Sequence, residues 1–184
     1  MLYHLDVGHR LVSGQVIDLA QDKLSVFGAN YMRRFMYYGV KSALDSGDRT
    51  ASLARLDAPT FREYALEFFR RHHPVAQGRN WPSRLSSFFA TSSLDDAHRY
   101  AERHGCKGGV RIYEVIADGN FPAFDMTWLD RTFPNDLGIP AYYWHKYWTG
   151  QRFELDESLN KSDKRPSLME TILNQKITIG KRAA

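Results

Sequence analysis

Residues 82–105 constrain the fold of this 184-residue chain most, because they combine a strand, a turn and a helix in one piece. Residues 87–91 form a short aromatic run that favours β-structure. Ser93 can then cap a helix, since its hydroxyl can accept the backbone N–H near Asp96, whose negative charge suits a helix N-terminus. The apolar positions that recur at helical spacing are Leu94, Ala97 and Ala101. Gly105 suits the position that ends the helix.

Two adjacent phenylalanines, Phe88 and Phe89, lie in this strand beside serines, a threonine and a helix N-terminus. The combination offers a flat ring a stacking surface and an anion several hydrogen-bond donors, although both rings could instead be plain core. Neighbouring strand residues point to opposite faces, so only one of the two can line a cleft. We favour Phe88 as the cleft ring, because it shares a face with the small Ala90.

The composition is that of an ordinary soluble globule, with 43% hydrophobic and 25% charged residues, and the length favours a single domain over residues 1–184. A net charge of +4 fits an anionic ligand such as a dinucleotide, and also fits nucleic acid. A single cysteine excludes an internal disulfide and disfavours a cysteine-based metal site. No signal peptide or membrane span is visible, so we expect a cytoplasmic protein, or one delivered into a target cell without a signal peptide.

The remaining pattern predicts further strands and at least two further helical regions. Alternation and apolar runs predict strands at 2–7, 15–19, 110–117, 121–124, 168–173 and 176–179. The clearest helix begins at Thr60 with a Thr-Phe-Arg-Glu capping box and stops before Pro74, and at least one helix lies within 21–47. Residues 141–148, rich in Tyr and Trp, are predicted as a strand that fills core or stacks bases. The polar run 155–166 predicts a mobile loop.

Two polar side chains occupy unusual strand positions. In the first strand His4 and Asp6 share one face, opposite the apolar face. In the late strand Glu170 alternates with Leu168 and Ile172, which would bury a carboxylate at a cost unless it is paired or functional. The alternative is that this face of the late strand is exposed and the other face is inside. The competing carboxylates in nearby strands and loops are Glu114, Glu154 and Glu157.

Residues 88–97, Phe-Phe-Ala-Thr-Ser-Ser-Leu-Asp-Asp-Ala, resemble the aromatic strand-plus-helix motif of ADP-ribosyltransferases. The likeness is nearest to the rifampin-modifying and poly(ADP-ribose)-polymerase-like branch. His4 on the first strand and Glu170 in Glu-Thr-Ile-Leu after a polar loop resemble the other two landmarks of the His–Tyr–Glu constellation. Phe replaces the usual Tyr, and His-Leu-Asp replaces the usual His-Gly-Thr.

The resemblance implies an α+β fold in which two mainly antiparallel sheets pack face to face around an NAD cleft, with helices outside. It implies NAD as co-substrate, Glu170 and His4 as catalytic residues, and mono-ADP-ribosylation of a protein or nucleic-acid acceptor by a toxin or effector. A toxin of this kind would have a neutralising partner. The residues that the resemblance implies in NAD binding are His4, Asp6, Arg84, Ser87, Phe88, Phe89, Thr91 and Tyr100.

Two other functions remain open at this point. An RNA 2′-phosphotransferase-like or other nucleic-acid-modifying enzyme could use the same scaffold, and that family relies on His and Arg without an essential Glu. A degenerate transferase could also bind NAD or ADP-ribose without turnover, as the missing Tyr suggests.

Overall fold

The computed structural model of the protein describes residues 1–20, 23–106, 109–138 and 140–184. Its strands are β1 (Leu2–Leu5), β2 (Val16–Asp18), β3 (Phe88–Ala90), β4 (Ile112–Ile116), β5 (Ala123–Asp125), β6 (Met169–Leu173) and β7 (Lys176–Arg182). Its α-helices are α1 (Val26–Tyr37), α2 (Lys41–Ser46), α3 (Ala58–His72), α4 (Leu94–Arg103) and α5 (Ala141–Trp148). All six predicted strands outside residues 82–105 and 141–148 are therefore present, most of them shortened at their ends.

The strands form two sheets in which every neighbouring pair is antiparallel. One sheet has the order β1-β4-β7-β2 and the other has the order β3-β6-β5. The edge strands of the two sheets meet at one backbone bridge, where Tyr3 and Thr91 exchange N–H···O bonds of 2.9 and 2.7 Å. This α+β architecture with two mainly antiparallel sheets confirms the coarse fold class expected from the sequence.

The three-stranded sheet is covered on both faces. Ala90 and Leu173 on one face pack with Val115 and Ile179 of the larger sheet. The opposite face carries Ile172 and Phe124 into a cluster built from helices α1, α2, α3 and α5. Because both faces of β6 are covered, any polar side chain on this strand must find its partners within the protein.

Residues 82–105 fold as the sequence predicts. Ser93 caps α4 by accepting the N–H of Asp96 at 3.0 Å, and the buried face of the helix includes Ala97 and Ala101. Gly105 follows the helix with φ +63°, a left-handed conformation that glycine adopts without strain.

The start of α3 differs from the prediction. The capping residue is Asp57, which accepts the N–H of Thr60 at 2.9 Å, so the cap lies three residues before the expected one and the helix begins at Ala58. Glu63, the expected partner in the capping box, is instead 1% exposed and points into the protein. The prediction was wrong because Pro59 is compatible with the first turn of a helix and did not have to precede it.

The predicted strand at residues 141–148 is also wrong, since this stretch is α5. Trp144, Tyr147 and Trp148 are buried together, and their i, i+3, i+4 spacing is that of one helix face. Dense aromatic residues favour strands only weakly, and burial against α3 overrides that tendency here.

Helix α1 lies directly against the 3-10 turn Arg84–Ser86, which leads into β3. Ser25 caps the helix and donates its hydroxyl to the Leu85 carbonyl at 3.1 Å. A Cβ atom added at Gly28 would lie 1.7 Å from that same carbonyl oxygen, so the close approach requires glycine at this position.

We therefore expect Gly28→Ala to destabilise the protein, although alanine is the better helix former by about 1 kcal/mol. Overpacking against backbone should lower the free energy of unfolding by at least about 1–3 kcal/mol. Urea unfolding measures this change, with Met36→Ala on the exposed side of the same helix as the control. A Gly28→Ala protein as stable as the Met36→Ala control would contradict the contact.

Candidate functional site

A cavity of about 270 Å³ opens next to the bridge between the two sheets. Four side chains from four separate elements meet there: His4 from β1, Phe89 from β3, Tyr100 from α4 and Glu170 from β6. A larger cleft of about 440 Å³ lies on the other side of the 83–86 segment. The smaller cavity is the better candidate for chemistry, because buried titratable groups with shifted pKa values surround it.

Strand register places Phe89 in this cavity rather than Phe88. Phe89 lies opposite Ile172, and residues directly opposite in an antiparallel pair share a face. Since Glu170 is two residues from Ile172 on the same strand, Phe89 and Glu170 lie on the same face. Phe88 points to the other face and does not line the cavity, although the centre of its ring lies 4.1 Å from that of the His4 ring. The preference for Phe88 as the cleft ring was wrong, because the sequence of one strand does not reveal its register with another.

His4 is held in a defined tautomer. Its Nδ1 lies 2.6 Å from the carbonyl oxygen of Phe89, and because a carbonyl only accepts, Nδ1 carries the proton. Burial lowers the pKa of the ring below its ordinary value, against the opposing effects of this hydrogen bond and of Asp6. The neutral ring therefore leaves Nε2 as a hydrogen-bond acceptor.

Glu170 is 3% exposed and shares its face with buried Ile172, as the alternation predicts. Its Oε1 accepts from Tyr147 Oη at 2.5 Å and from Nη1 of Arg84. Its Oε2 makes no hydrogen bond to any residue in the part of the chain that the structure describes. One carboxylate oxygen is thus fixed and the other remains available at the cavity.

Arg84 supplies the countercharge that a buried carboxylate requires. It is 5% exposed, and its Nε donates to Glu63 at 2.8 Å while Nη1 donates to Tyr147 and Glu170. Burial alone would lower the pKa of this guanidinium, but Glu170 and Glu63 raise it well above its ordinary value. Arg84, which the resemblance implies in NAD binding, is thus engaged by two carboxylates of the protein itself.

Tyr100 brings a second aromatic ring and a hydroxyl to the cavity. Burial raises its pKa to about 12, and the negative charge of Glu170 acts in the same direction. The hydroxyl is therefore protonated at neutral pH and can donate. The hydroxyl that Phe89 lacks is thus present in the same cavity on a neighbouring helix.

Three predicted NAD-binding residues, Asp6, Ser87 and Phe88, do not line the cavity. The Asp6 carboxylate accepts the backbone N–H groups of Arg10 and Leu11 at 3.2 and 2.9 Å and so stabilises the turn after β1. Ser87 is buried and donates to the Ser83 carbonyl at 2.5 Å. Local backbone partners thus engage Asp6 and Ser87, whereas Phe88 points to the opposite face of β3 from Phe89.

Thr91 does line the cavity, and its hydroxyl donates to the Ser93 carbonyl at 2.9 Å. Its backbone forms the bridge to Tyr3, so its main contribution is to join the two sheets.

Sequence analysis missed Tyr147 and Glu63, the two residues that hold Arg84 and Glu170. Tyr147 was assigned to a strand, and its helical spacing with Trp144 and Trp148 is the signal that could have found it. Glu63 and Glu67 stand four residues apart within the apolar run of α3. Two like charges at this spacing destabilise a helix, so their presence among apolar residues is the signal that each needs a cationic partner.

Comparison with known proteins adds no assignment: neither a scan against protein families nor a search of curated proteins gives a match. Among residues 1–20, 23–106, 109–138 and 140–184, no three His, Cys, Asp or Glu side chains are grouped so as to hold a metal ion. The helices within these ranges include none with the length and apolar character needed to cross a bilayer.

The neutral His4 ring makes stability depend on pH. The pKa of His4 is lower in the folded protein than in the unfolded chain, where it is about 6.5. Below about pH 6.5 the unfolded chain therefore binds more protons at this residue than the folded protein does. The stability from neutral His4 is complete above that pH and is lost as the pH falls toward the lower folded pKa. We expect the free energy of unfolding to rise from pH 5 to 7 more steeply than in His4→Gln, by at most about 1.4 kcal/mol per pH unit. A His9→Gln control at an exposed position should retain the wild-type slope. Equal slopes in the wild type and His4→Gln would show that His4 titrates normally.

Proposed function

We propose that this protein is an NAD-dependent mono-ADP-ribosyltransferase that acts on a macromolecular acceptor. The observation that supports the proposal most is the convergence of His4, Phe89, Tyr100 and Glu170 on one cavity. These side chains come from an early strand, the aromatic strand-plus-helix motif and a late strand, which is the order that the resemblance implies.

The polar groups of the cavity suit a ribose. His4 Nε2 and Glu170 Oε2 are both acceptors, and a ribose with two neighbouring hydroxyls offers two donors. The ring of Phe89 or Tyr100 offers nicotinamide an aromatic surface. A volume of about 270 Å³ is near the lower end of the ~300–1,000 Å³ typical of ligand pockets. The cavity therefore suits the nicotinamide riboside end of NAD, with the remainder extending toward solvent.

The chemistry requires a carboxylate in this position. The bond between ribose C1′ and the nicotinamide nitrogen breaks, and its electron pair stays with the departing neutral nicotinamide. Positive charge develops on the ribose until the acceptor forms a new bond to C1′ and loses a proton. A carboxylate oxygen hydrogen-bonded to the 2′-hydroxyl stabilises that charge, and such an interaction is strongest in a site with little water.

Arg84 modifies this role, because it shares its charge between Glu170 and Glu63. Arg62 in turn pairs with Glu63 at 3.1 Å, so the group contains two cations and two anions. The ion pair keeps a buried charge stable before substrate binds, and it also reduces the field that Glu170 exerts on a developing cation. The same feature favours the second candidate function, a protein that binds NAD or ADP-ribose without turnover.

The first test is nicotinamide release from NAD by purified protein, with Glu170→Gln as the variant. An amide keeps the size of the side chain but not its charge, so we expect the variant to lose at least about 100-fold in kcat, similar to the loss of one oxyanion donor. Circular dichroism and the melting temperature establish that the variant folds. Glu114→Gln, which changes a carboxylate of the larger sheet, is the matched control.

Each rival function gives a different result in this experiment. Saturable NAD binding without nicotinamide release by the wild type would support the binding protein. If Glu170→Gln still releases nicotinamide at the wild-type rate, the catalytic carboxylate is a residue other than Glu170. A wild-type protein that neither binds nor cleaves NAD would contradict the proposal. The next assay would then be 2′-phosphotransferase activity on RNA, and we expect Glu170→Gln to retain the wild-type rate of that reaction.

Tyr147 positions Glu170, and its removal should affect turnover more than substrate binding. Burial raises the pKa of the Tyr147 hydroxyl well above its ordinary value, so it donates to Oε1 of Glu170 at all ordinary pH values. Tyr147→Phe should lower kcat by about 10–100-fold with KM for NAD nearly unchanged, because the carboxylate loses its orientation. Tyr142→Phe removes a hydroxyl from the same helix that contacts Asp156 and Ser158 instead, and should retain full kcat. Equal kcat values in the two variants would rule out the positioning role.

A further inference from the structure

The larger cleft, of about 440 Å³, lies on the opposite side of the 3-10 turn from the candidate active site. Arg84 lines the active-site cavity, whereas its neighbours Ser83, Leu85 and Ser86 line this cleft. The two sites are therefore separated by one short segment and share no lining residue.

A buried carboxylate arranges two arginines along one wall of the cleft. Glu67 is 1% exposed and accepts from Arg70 Nε and Nη2 at 3.0 and 2.6 Å, and from Arg71 Nε at 2.7 Å. Ser83 Oγ also donates to Glu67, at 2.9 Å. Arg70 Nη1 also donates to the Trp81 carbonyl at 3.3 Å, and Arg71 Nη1 donates to Asp45 at 3.0 Å. Two carboxylates therefore hold these two guanidinium groups, and Nη2 of Arg71 makes no hydrogen bond to a described residue, so it can donate to an oxyanion.

A third arginine and an aromatic ring complete the cleft. The guanidinium carbon of Arg79 lies 5.6 Å from the centre of the Trp81 ring. Arg79 forms no ion pair with any described residue, and it is exposed. Trp81 stacks on Trp148 with centroids 5.6 Å apart and planes at 15°, so its ring is held in place.

Two side-chain amides in the cleft can still donate and accept hydrogen bonds. The side-chain amides of Asn80 and Asn174 line it and make no hydrogen bond within the ranges that the structure covers. A cleft with one exposed arginine that forms no ion pair among the described residues, uncommitted amides and a fixed aromatic ring matches the phosphate, sugar and base of a nucleotide.

We propose that this cleft binds a nucleotide unit, with the phosphate at Arg71 and Arg79 and the base on Trp81. The exposed Arg79 side chain can leave the indole face to meet the phosphate, and a base can then occupy that face. The unit is either a free nucleotide or part of a single-stranded nucleic acid. This proposal does not rest on the proposed transferase activity, because none of its groups lines the other cavity.

The test is equilibrium binding of a fluorescein-labelled eight-nucleotide single-stranded RNA, measured by anisotropy at several salt concentrations. Arg79→Glu should weaken binding at least tenfold at low salt and lower the salt slope, since a phosphate contact is lost. Arg33→Glu, a charge reversal at an exposed arginine outside the cleft, should change the affinity by less than threefold. Glu170→Gln should bind like the wild type, which keeps this test separate from that of the activity.

Competition with unlabelled AMP and with inorganic phosphate distinguishes the sources of the nucleotide. RNA that binds much more tightly than AMP identifies a nucleic-acid site, and AMP that competes as well as RNA identifies a free-nucleotide site; both results support the proposal. Phosphate that competes as well as AMP would overturn the role of Trp81. No saturable binding by the wild type, or equal losses in Arg79→Glu and Arg33→Glu, would overturn the site.

Discussion

The buried ion pairs of Arg84 with Glu63 and Glu170 are the interactions on which the rest of this structure depends. It connects α3 through Glu63, β6 through Glu170 and α5 through Tyr147, and its own position is the 3-10 turn that leads into β3. Losing one partner of such a buried ion pair typically costs about 3–5 kcal/mol, because a charge is left without compensation. The same network orders the helical layer and orients the carboxylate that faces the cavity.

The cavity is consequently a site of acceptors rather than of cations. His4 is neutral and presents Nε2, and Glu170 presents Oε2. Arg84 and Arg62 also line the cavity, and both are paired with carboxylates. A site of this kind recognises hydroxyl donors and can stabilise developing positive charge. Arg79, which forms no ion pair with a described residue, lies across the 83–86 segment, beside Trp81. The two proposed sites, one for a ribose and one for a phosphate, thus lie on opposite sides of one segment.

Local signals in the sequence predicted the elements that local interactions decide. The strand, cap and helix of residues 82–105 follow from hydroxyl capping, helical spacing and a terminal glycine. Alternation gave the burial of Glu170 as one of two alternatives, and the structure buries it. The partners of Glu170 could not be predicted in this way, because Arg84 and Tyr147 are 86 and 23 residues away along the chain. Phe89 was ranked below Phe88 for the same reason, since the deciding fact is its register opposite Ile172. Residues 141–148 form a helix because tertiary packing outweighs aromatic strand preference.

The most direct measurement of the central claim is a crystal structure of the protein with an NAD analogue whose nicotinamide ribose carries a methylene in place of the ring oxygen and therefore cannot be cleaved. We expect this ribose to lie in the cavity with its hydroxyls about 2.6–3.2 Å from His4 Nε2 and Glu170 Oε2, and Arg84 to keep its contact with Oε1. An analogue bound only in the cleft beside Trp81, or a cavity that stays empty at a saturating concentration of the analogue, would contradict the proposed ribose site.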